Sequence, residues 1–346
     1  MSERVPTVCV IVVTYNSGAH LGRCIAALAR QSWRDFEAIV FDNASHDGAV
    51  DALGPLPEGF RIVHSKRNLG FAGGNNRAAA ETRAPWIATL NPDAFPASDW
   101  LARLMAAAER YPDVDMFGST QLLADDPSRL DGAGDVYHAS GIHWRGLHGR
   151  PAALLPPEGE VFAPCAAAAL YRARTFHAQD GFDERLFCFS EDVDLAFRIR
   201  LAGGRCIQVA DAVVHHVGSG STGRGSAFSV RHGVRNRLWT FVKNMPGPLF
   251  WPLLPVHIAA NLGALVIAVA RGRGRPAWQG LGEAVIGIGP IWQARRELQR
   301  RRRVSAWHIA RVIAWSPFAL FRRAAHVLPV PPRNDACRRG SVGPAR

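Results

Sequence analysis

Val8-Cys-Val-Ile-Val-Val13, followed at once by Thr14-Tyr15-Asn16, is a nearly unbroken β-branched run that stops on polar residues. A strand buried on both faces of a parallel sheet has this composition, because neither face needs to be polar. Ser17 to Gln31 then carries Leu21, Cys24, Ile25 and Leu28 at helical spacing. The alternation continues, with strands expected at 36–41, 61–64 and 86–90 and helices at 73–82 and 98–110. Strand alternating with helix through residue 110 predicts an α/β fold with a doubly wound sheet flanked by helices.

In such sheets ligands bind outside the carboxyl ends of the strands, so the polar residues just after each strand come first. They are Thr14-Tyr15-Asn16, Asp42-Asn43, Asn68-Leu-Gly70 and Asn91-Pro-Asp93. Asp93 at a strand end could bind a divalent cation bridging a diphosphate, since Mg²⁺ and Mn²⁺ take oxygen ligands and need few protein carboxylates. Asn-Pro-Asp is equally good turn chemistry.

The segment 121–164 is rich in Gly, Pro and His without periodicity and reads as loops and irregular strands around a site, with Trp144 a candidate acceptor contact. The chain is expected to return to the sheet over 161–171. A helix is expected over 192–202, and strands over 205–209 and 212–214. Ser190-Glu191-Asp192-Val-Asp194 opens that helix; acids in a first turn suit the helix dipole whatever the function. One of Glu191 and Asp192 could serve as general base, the other making structural or acceptor contacts. His215-His216 ends a strand ahead of Gly218-Ser-Gly-Ser221, where an imidazole could complete a metal shell and the loop could close over a diphosphate. Arg231, Arg235 and Arg237 could grip phosphate oxygens, or form an exposed basic helix face. Asn68 to Asn76 does not fit the dinucleotide-binding glycine spacing, so its glycines are read as allowing close approach to a nucleotide.

Charge separates the chain into two parts. The formal net charge is +12, yet residues 271–346 hold 16 Arg against Glu283, Glu297 and Asp335, so residues 1–270 sum to about −1. A near-neutral domain with a basic tail points to an anionic membrane surface or a polyanion as the tail's partner. The tail lacks the interleaved aromatics of a nucleic-acid binder, so no nucleic-acid partner is expected. Leu249–Ala270 has no charged residue in 22 positions, with Pro252 and Pro255 inside it. That is long enough to cross a bilayer, though the prolines suit a bent or interfacial segment. Residues 304–321, with Trp307 and Trp315, read as one amphipathic interfacial helix. The expected division is a catalytic domain at 1–245 and a membrane-associated helical region at 246–346, its last ~15 residues disordered. The six cysteines have no zinc-type spacing and read as buried free thiols of a reducing compartment; no secretion signal is evident at the N-terminus.

Taken in order, Val13-Thr-Tyr-Asn16, Asp42-Asn-Ala-Ser-His-Asp-Gly48, Asn68-Leu-Gly-Phe-Ala-Gly-Gly-Asn-Asn76, Leu90-Asn-Pro-Asp93, Gly181-Phe-Asp-Glu184, Glu191-Asp-Val-Asp-Leu195 and His216 before Gly218 resemble glycosyltransferase family 2, in its rhamnosyltransferase-like branch. The resemblance covers about residues 8–240. It implies a GT-A fold and inverting transfer from a nucleotide-activated sugar, with Mg²⁺ or Mn²⁺ as the expected metal; the basic, apolar tail points to a glycan or polyprenyl-diphosphate-linked acceptor at the cytoplasmic face of a membrane. It also implies that Asp42 contacts the nucleobase or ribose, Asp93 and His216 hold the metal, and Asp192 is the catalytic base. Thr14, Tyr15, Asn16, Asn43, Asn68, Gly70, Asn75, Asn91, Arg231 and Arg235 would complete the donor site. Asn91 stands in place of the first acid of the family's DXD-type motif. Two other readings remain: a nucleotidyltransferase, and a non-catalytic membrane or polyanion binder on a decayed transferase domain. Thr14–Gly18 lacks the basic loop of the former, and the acids of an active site speak against the latter.

Overall fold

The computed structural model describes residues 4–218 and 225–330. Its strands are β1 (Val8–Thr14), β2 (Phe36–Asp42), β3 (Phe60–His64), β4 (Trp86–Leu90), β5 (Ala94–Pro96), β6 (Met116–Leu123), β7 (Leu130–Ala133), β8 (Asp135–Tyr137), β9 (His143–Arg145), β10 (Gly159–Glu160), β11 (Ala168–Arg172) and β12 (Cys206–His216). Its helices are α1 (Ala19–Ala29), α2 (Gly70–Ala79), α3 (Trp100–Arg110), α4 (Ala173–Ala178), α5 (Glu191–Leu201), α6 (Ala227–Asn244), α7 (Gly247–Ala270), α8 (Gly274–Ile286), α9 (Ile288–Arg301), α10 (Ala306–Val312) and α11 (Pro317–Arg322).

The main sheet runs β10-β12-β6-β11-β4-β1-β2-β3, with β5 paired to β12 and β7 to β6. Strands β4, β1, β2 and β3 are mutually parallel, whereas β11 runs antiparallel between β4 and β6. The sheet is therefore mixed. Strand β1 explains why both faces are apolar. Val8, Val10 and Val12 pack with Leu21, Leu28, Trp100 and Leu104 from α1 and α3, while Cys9, Ile11 and Val13 pack with Ala72, Leu195, Phe197 and Phe241 from α2, α5 and α6. Successive side chains of a strand point to opposite faces, so the uninterrupted run becomes the seam of two cores.

Several boundaries differ from the expected ones for identifiable reasons. Helix α2 starts at Gly70 rather than residue 73, because Asn68 and Asn43 side chains accept from the Gly70 and Leu69 N–H groups at 2.8 and 2.7 Å and cap it early. Its glycines serve packing: a Cβ on Gly74 would meet Val13 of β1 at 2.7 Å, and one on Gly70, at φ 74°, would collide with Phe187. The two strands expected over 205–214 form a single β12 carrying a bulge between Val209 and Val213. The amphipathic helix expected over 304–321 is broken into α10 and α11. Ala314 leaves helical geometry to exchange backbone bonds with Tyr137 and Ala139, and Pro317 starts a new turn. The cysteines are free among the described residues. The Ser219–Ser221 part of the expected closing loop, Cys337 and the terminal residues expected to be disordered lie outside the described residues.

Helix α7 is continuous from Gly247 to Ala270 with Pro252 and Pro255 inside it, and is the single described helix long and apolar enough to cross a membrane. Only 17% of its most apolar window is buried, so it is not a core helix. Phe250, Leu253, His257 and Leu265 form its covered stripe, while Trp251, Ile258, Leu262, Val266 and Val269 are exposed.

Helices α5 and α6 are joined through a fully buried carboxylate. Asp194 accepts from Arg198 Nε at 2.9 Å, Lys243 Nζ at 2.7 Å and Asn244 Nδ2 at 2.7 Å, and Lys243 also contacts Asp183. Removing one partner of a buried ion pair leaves the other charge poorly compensated and costs about 3 kcal/mol. Lys243→Met is expected to lower the unfolding free energy of the complete chain by about that amount in urea titration; an unchanged midpoint would show that the cluster contributes nothing.

Candidate active site

The carboxyl ends of β1, β2 and β3 bring three of the sequence-selected loops together. Thr14 is buried, with its hydroxyl on Ser17 Oγ at 2.8 Å, and Asn16 accepts from the His46 N–H at 2.8 Å. Tyr15 is exposed beside them. Asp42 accepts from the Ser45 N–H at 2.9 Å and from His64 at 3.1 Å; burial pushes its pKa up, but these bonds outweigh it and hold the carboxyl below its ordinary range. Asn43 donates to Asn68 and to the Gly70 carbonyl, at 2.9 and 3.0 Å, and so ties the second and third loops. Asn75 is buried, with its amide on the Phe71 carbonyl of its own helix.

Asp93 and His216 meet. The antiparallel pairing of β5 with β12 sets Ala94 opposite His216, which brings Asp93 Oδ1 to 3.2 Å from His216 Nε2. Asn91 Nδ2 is 3.3 Å from the same nitrogen. The other ring nitrogen, Nδ1, lies 2.7 Å from Asp131 Oδ2, which also pairs with Arg145, while Asp131 Oδ1 pairs with His148. Burial depresses the His216 pKa, but its bonds to Asp131 and Asp93 reverse this and leave it raised. Asp131 is held low despite burial by Arg145, His148 and His216. An imidazole whose Nδ1–H is fixed by a carboxylate turns its Nε2 lone pair outward, the arrangement that metal-binding histidines use.

Next to this group opens a cavity of about 400 Å³, lined among others by Asn91, Asp135, Trp144, Arg145, Cys165, Glu191, Asp192 and Arg237. Asp192 accepts from the Ala166 N–H at 3.2 Å and the Val193 N–H at 2.8 Å. Burial raises its pKa, with those N–H groups and Arg145 opposing. Glu191 is pushed well up by burial and then by Asp192, and its Oε2 has no hydrogen-bond partner. Both acids thus face one cavity, although neighbouring helical positions diverge by about 100°. The turn before them is strained: Phe187, Phe189 and Ser190 all have φ between 63° and 71°. Asn236 of α6 holds that turn, its Nδ2 lying 2.7 to 2.9 Å from the carbonyls of Leu186, Cys188 and Phe189. Positive φ in non-glycine residues costs of order 1 kcal/mol each and persists where the surroundings enforce it.

The family follows from these motifs and from comparison with known proteins. The glycosyl transferase family 2 profile matches residues 9–174. An N-acetylglucosaminyl-diphospho-decaprenol L-rhamnosyltransferase of Mycobacterium tuberculosis is 30% identical over 249 residues, covering 63% of this chain and 78% of that protein. The chain belongs to glycosyltransferase family 2. It is a glycosyltransferase of the rhamnosyltransferase-like branch. Its fold is GT-A, as in the mannosyltransferase PcManGT from Pyrobaculum calidifontis in complex with GDP-Man and Mn²⁺, which is 20% identical over 86% of each chain with a TM-score of 0.53. The S. aureus TarS fragment 1-349 in complex with UDP-GlcNAc is 16% identical, with 85% and 88% of the two chains covered and a TM-score of 0.55.

Other selected residues of this glycosyltransferase lie differently from their sequence reading. Arg231 and Arg235 converge on Glu283 of α8, and Arg235 also reaches the Leu186 carbonyl. Their guanidinium groups are thereby committed to a carboxylate outside the cavity lining, and of the arginine trio only Arg237 lines the cavity. Trp144 lines it too, with its indole N–H on the Ala324 carbonyl at 2.9 Å. Sequence reasoning missed Asp131, Asp135, Arg145 and Asn236. The first three come from the segment without periodicity; Asn236 was masked by the charges on either side of it.

Asp135, Cys165 and Asp192 place donor atoms within 4.8 Å of one another. Burial and then Asp192 push the Asp135 pKa well up, and two carboxyls so close in a dry site do not both ionise readily. A carboxyl whose folded pKa exceeds its unfolded value, about 3.9, weakens the fold as pH rises above that value, until the folded pKa is passed. Asp135→Asn is therefore expected to be more stable than the parent at about pH 7, with the difference shrinking towards about pH 4, by denaturant titration at both. A difference that grows on acidification would contradict the assignment.

Proposed function

We propose that this glycosyltransferase moves rhamnose, with inversion, from a nucleoside-diphosphate donor to a polyprenyl-diphosphate-linked sugar in cell-envelope polysaccharide synthesis. The observation that carries the reading is the adjacency of two groups at one sheet edge. The Asp93–His216 pair and the Asp192 carboxylate both adjoin Asn91, which touches His216 and lines the cavity with Asp192. The name of the M. tuberculosis relative supports the sugar and the acceptor class.

Asp93 and His216 fit a divalent cation. Octahedral ligands about 2.1 Å from Mg²⁺ lie about 3 Å apart, close to the 3.2 Å between Asp93 Oδ1 and His216 Nε2. Mg²⁺ or Mn²⁺ held there would neutralise charge on the departing diphosphate. Asp131 would act by orienting His216. The loops carrying Thr14, Tyr15, Asn16, Asp42, Asn43, Asn68 and Gly70 would receive the nucleoside. Asn75 and the Glu283-bound Arg231 and Arg235 would support that site without touching phosphate.

The reaction is a single displacement. Asp192 takes the proton of the acceptor hydroxyl, that oxygen forms a bond to the anomeric carbon, and the bond to the diphosphate breaks with its electron pair leaving on phosphate. The N–H groups of Ala166 and Val193 orient Asp192. Its burial-raised pKa strengthens it as a base relative to an exposed aspartate. Trp144 and Glu191, on the same wall, would position the acceptor sugar.

The exposed stripe of α7, and exposed Trp307, Trp315, Phe318 and Phe321 further along the chain, give the described part of residues 246–346 apolar surface, and Arg271, Arg273, Arg275, Arg300, Arg301 and Arg303 are exposed as well. Each arginine near an anionic leaflet contributes about 1 kcal/mol. This supports a membrane-associated region following a catalytic unit at 1–245, placed at the cytoplasmic face where nucleotide sugars are made.

Turnover, its pH and metal dependence, and Mn²⁺ binding test the reading. Asp192→Asn should lower kcat for rhamnosyl transfer by about 10² or more, the usual share of a general base, with donor affinity nearly unchanged; wild-type turnover would remove Asp192 from that role. In the parent, kcat should fall as acid protonates Asp192, and EDTA should abolish transfer. Asp131→Asn should weaken Mn²⁺ binding about 10- to 100-fold when followed by electron paramagnetic resonance on the unreacted protein. Parental Mn²⁺ affinity in that variant would place the metal elsewhere.

A further inference from the structure

Arg237 is the basic residue of α6 that lines the cavity, and no part of the proposed reaction uses it. Ser229, Gly233 and Arg237 line the cavity at intervals of four, so they share one face of the helix. The wall they form is smooth until the guanidinium, since a Cβ added to Gly233 would meet no atom within 4 Å. Arg231 and Arg235 share Glu283, but among the described residues Arg237 has no carboxylate within ion-pair reach. Among the described residues its hydrogen bond runs from Nε to Asn261 Oδ1 of α7, at 2.7 Å. Burial alone pulls its pKa down to about 10.

The side chains against it supply no counter-charge. His143 and His257 flank it, both depressed to about 4 by burial with Arg237 adding to the effect, so each is neutral. His257 is bonded to the Ser140 carbonyl at 2.7 Å and stacked on Phe241 at 3.9 Å, and Asn261 donates to the His257 carbonyl at 2.8 Å. A guanidinium removed from water without an anion is costly, and a chain that keeps one beside a cavity gains when an anion arrives. Asn261 occupies Nε and leaves the two terminal nitrogens, the pair that forms forked bonds to phosphate.

We propose that Arg237 binds the phosphate next to the sugar of a lipid-linked acceptor, with Ser229 and Gly233 forming the wall along which that group lies. The inference rests on the acceptor class proposed above. Acceptor phosphate is favoured over donor phosphate because Arg237 is anchored on α7, the helix with the uncovered apolar stripe. The diphosphate of a membrane lipid lies just outside the hydrocarbon, so its receptor belongs beside the element that faces the membrane.

Binding to the complete chain in detergent tests this, with farnesyl diphosphate as lipid-phosphate probe, thymidine diphosphate with Mn²⁺ as donor probe, and farnesol as neutral control. Arg237→Gln should weaken farnesyl diphosphate about 10-fold or more, the range for losing charge-assisted bonds, and leave thymidine diphosphate within about twofold and farnesol unchanged. Arg237→Lys, which keeps the charge but not the fork, should fall between and serves if the glutamine variant fails to fold. Equal loss of both diphosphates would assign Arg237 to the donor, and unchanged farnesyl diphosphate binding in a folded variant would overturn the proposal. Because these probes carry no transferable sugar and need no turnover, failure of rhamnosyl transfer would be read separately.

Discussion

Asp194 is buried beyond reach of water, and the geometry of the cavity depends on how its charge is met. Its partners come from two directions: Arg198 one turn along α5, and Lys243 and Asn244 from the end of α6. A carboxylate in that position has to be paired, so α6 cannot slide or rotate on α5 without breaking charge-assisted bonds. Asp192 and Glu191 stand in the first turn of α5, and Arg237 stands on α6. The separation between the acids and the cation across the cavity therefore follows from a contact that takes no part in chemistry.

The same clamp makes the strained turn before α5 tolerable. Three carbonyl anchors on Asn236, those of Leu186, Cys188 and Phe189, hold Phe187 to Ser190 in a conformation that side chains disfavour. Asn236 lies only one helical turn from Thr240 and two from Asn244, so the docking of α6 at Asp194 and its grip on the turn are one rigid-body event. The strain has a use: a turn of this shape starts α5 abruptly, with its first carboxyls at the cavity wall rather than behind a longer entry loop. Local strain is paid for by tertiary contacts more than 40 residues away.

That distance explains what could be read from the sequence and what could not. The strands from β1 to β4 and their terminal polar residues were legible because buried parallel strands are apolar runs and ligands gather at their carboxyl ends. Asp93 and His216 could be selected separately by that rule, although their contact depends on β5 turning back to pair with β12. Asp131, Asp135 and Arg145 could not, since β7, β8 and β9 are three or four residues long and too short to show a period. The pairing of Arg231 and Arg235 with Glu283 was equally hidden, because charges on a helix face look alike whether they meet phosphate, solvent or a glutamate 52 and 48 residues on. The break at Ala314 belongs to the same class: composition supported one helix, and a backbone bridge to β8's edge overrode it.

Helix α7 joins the two halves of the chain's physical problem. An α-helix apolar on all sides is usually buried or in lipid, yet this one is covered along a single stripe. The covered stripe is where its polar residues are: His257 and Asn261 point inward to Ser140, Phe241 and Arg237. Those bonds would be lost if the helix left the body to stand alone across a bilayer, and Arg237 would lose the partner that orients its free nitrogens. The polar stripe therefore favours a helix that lies against the catalytic unit and offers its other faces to lipid, over one that departs from it. The placement of α7 against the catalytic unit is then set by two side chains on one helix.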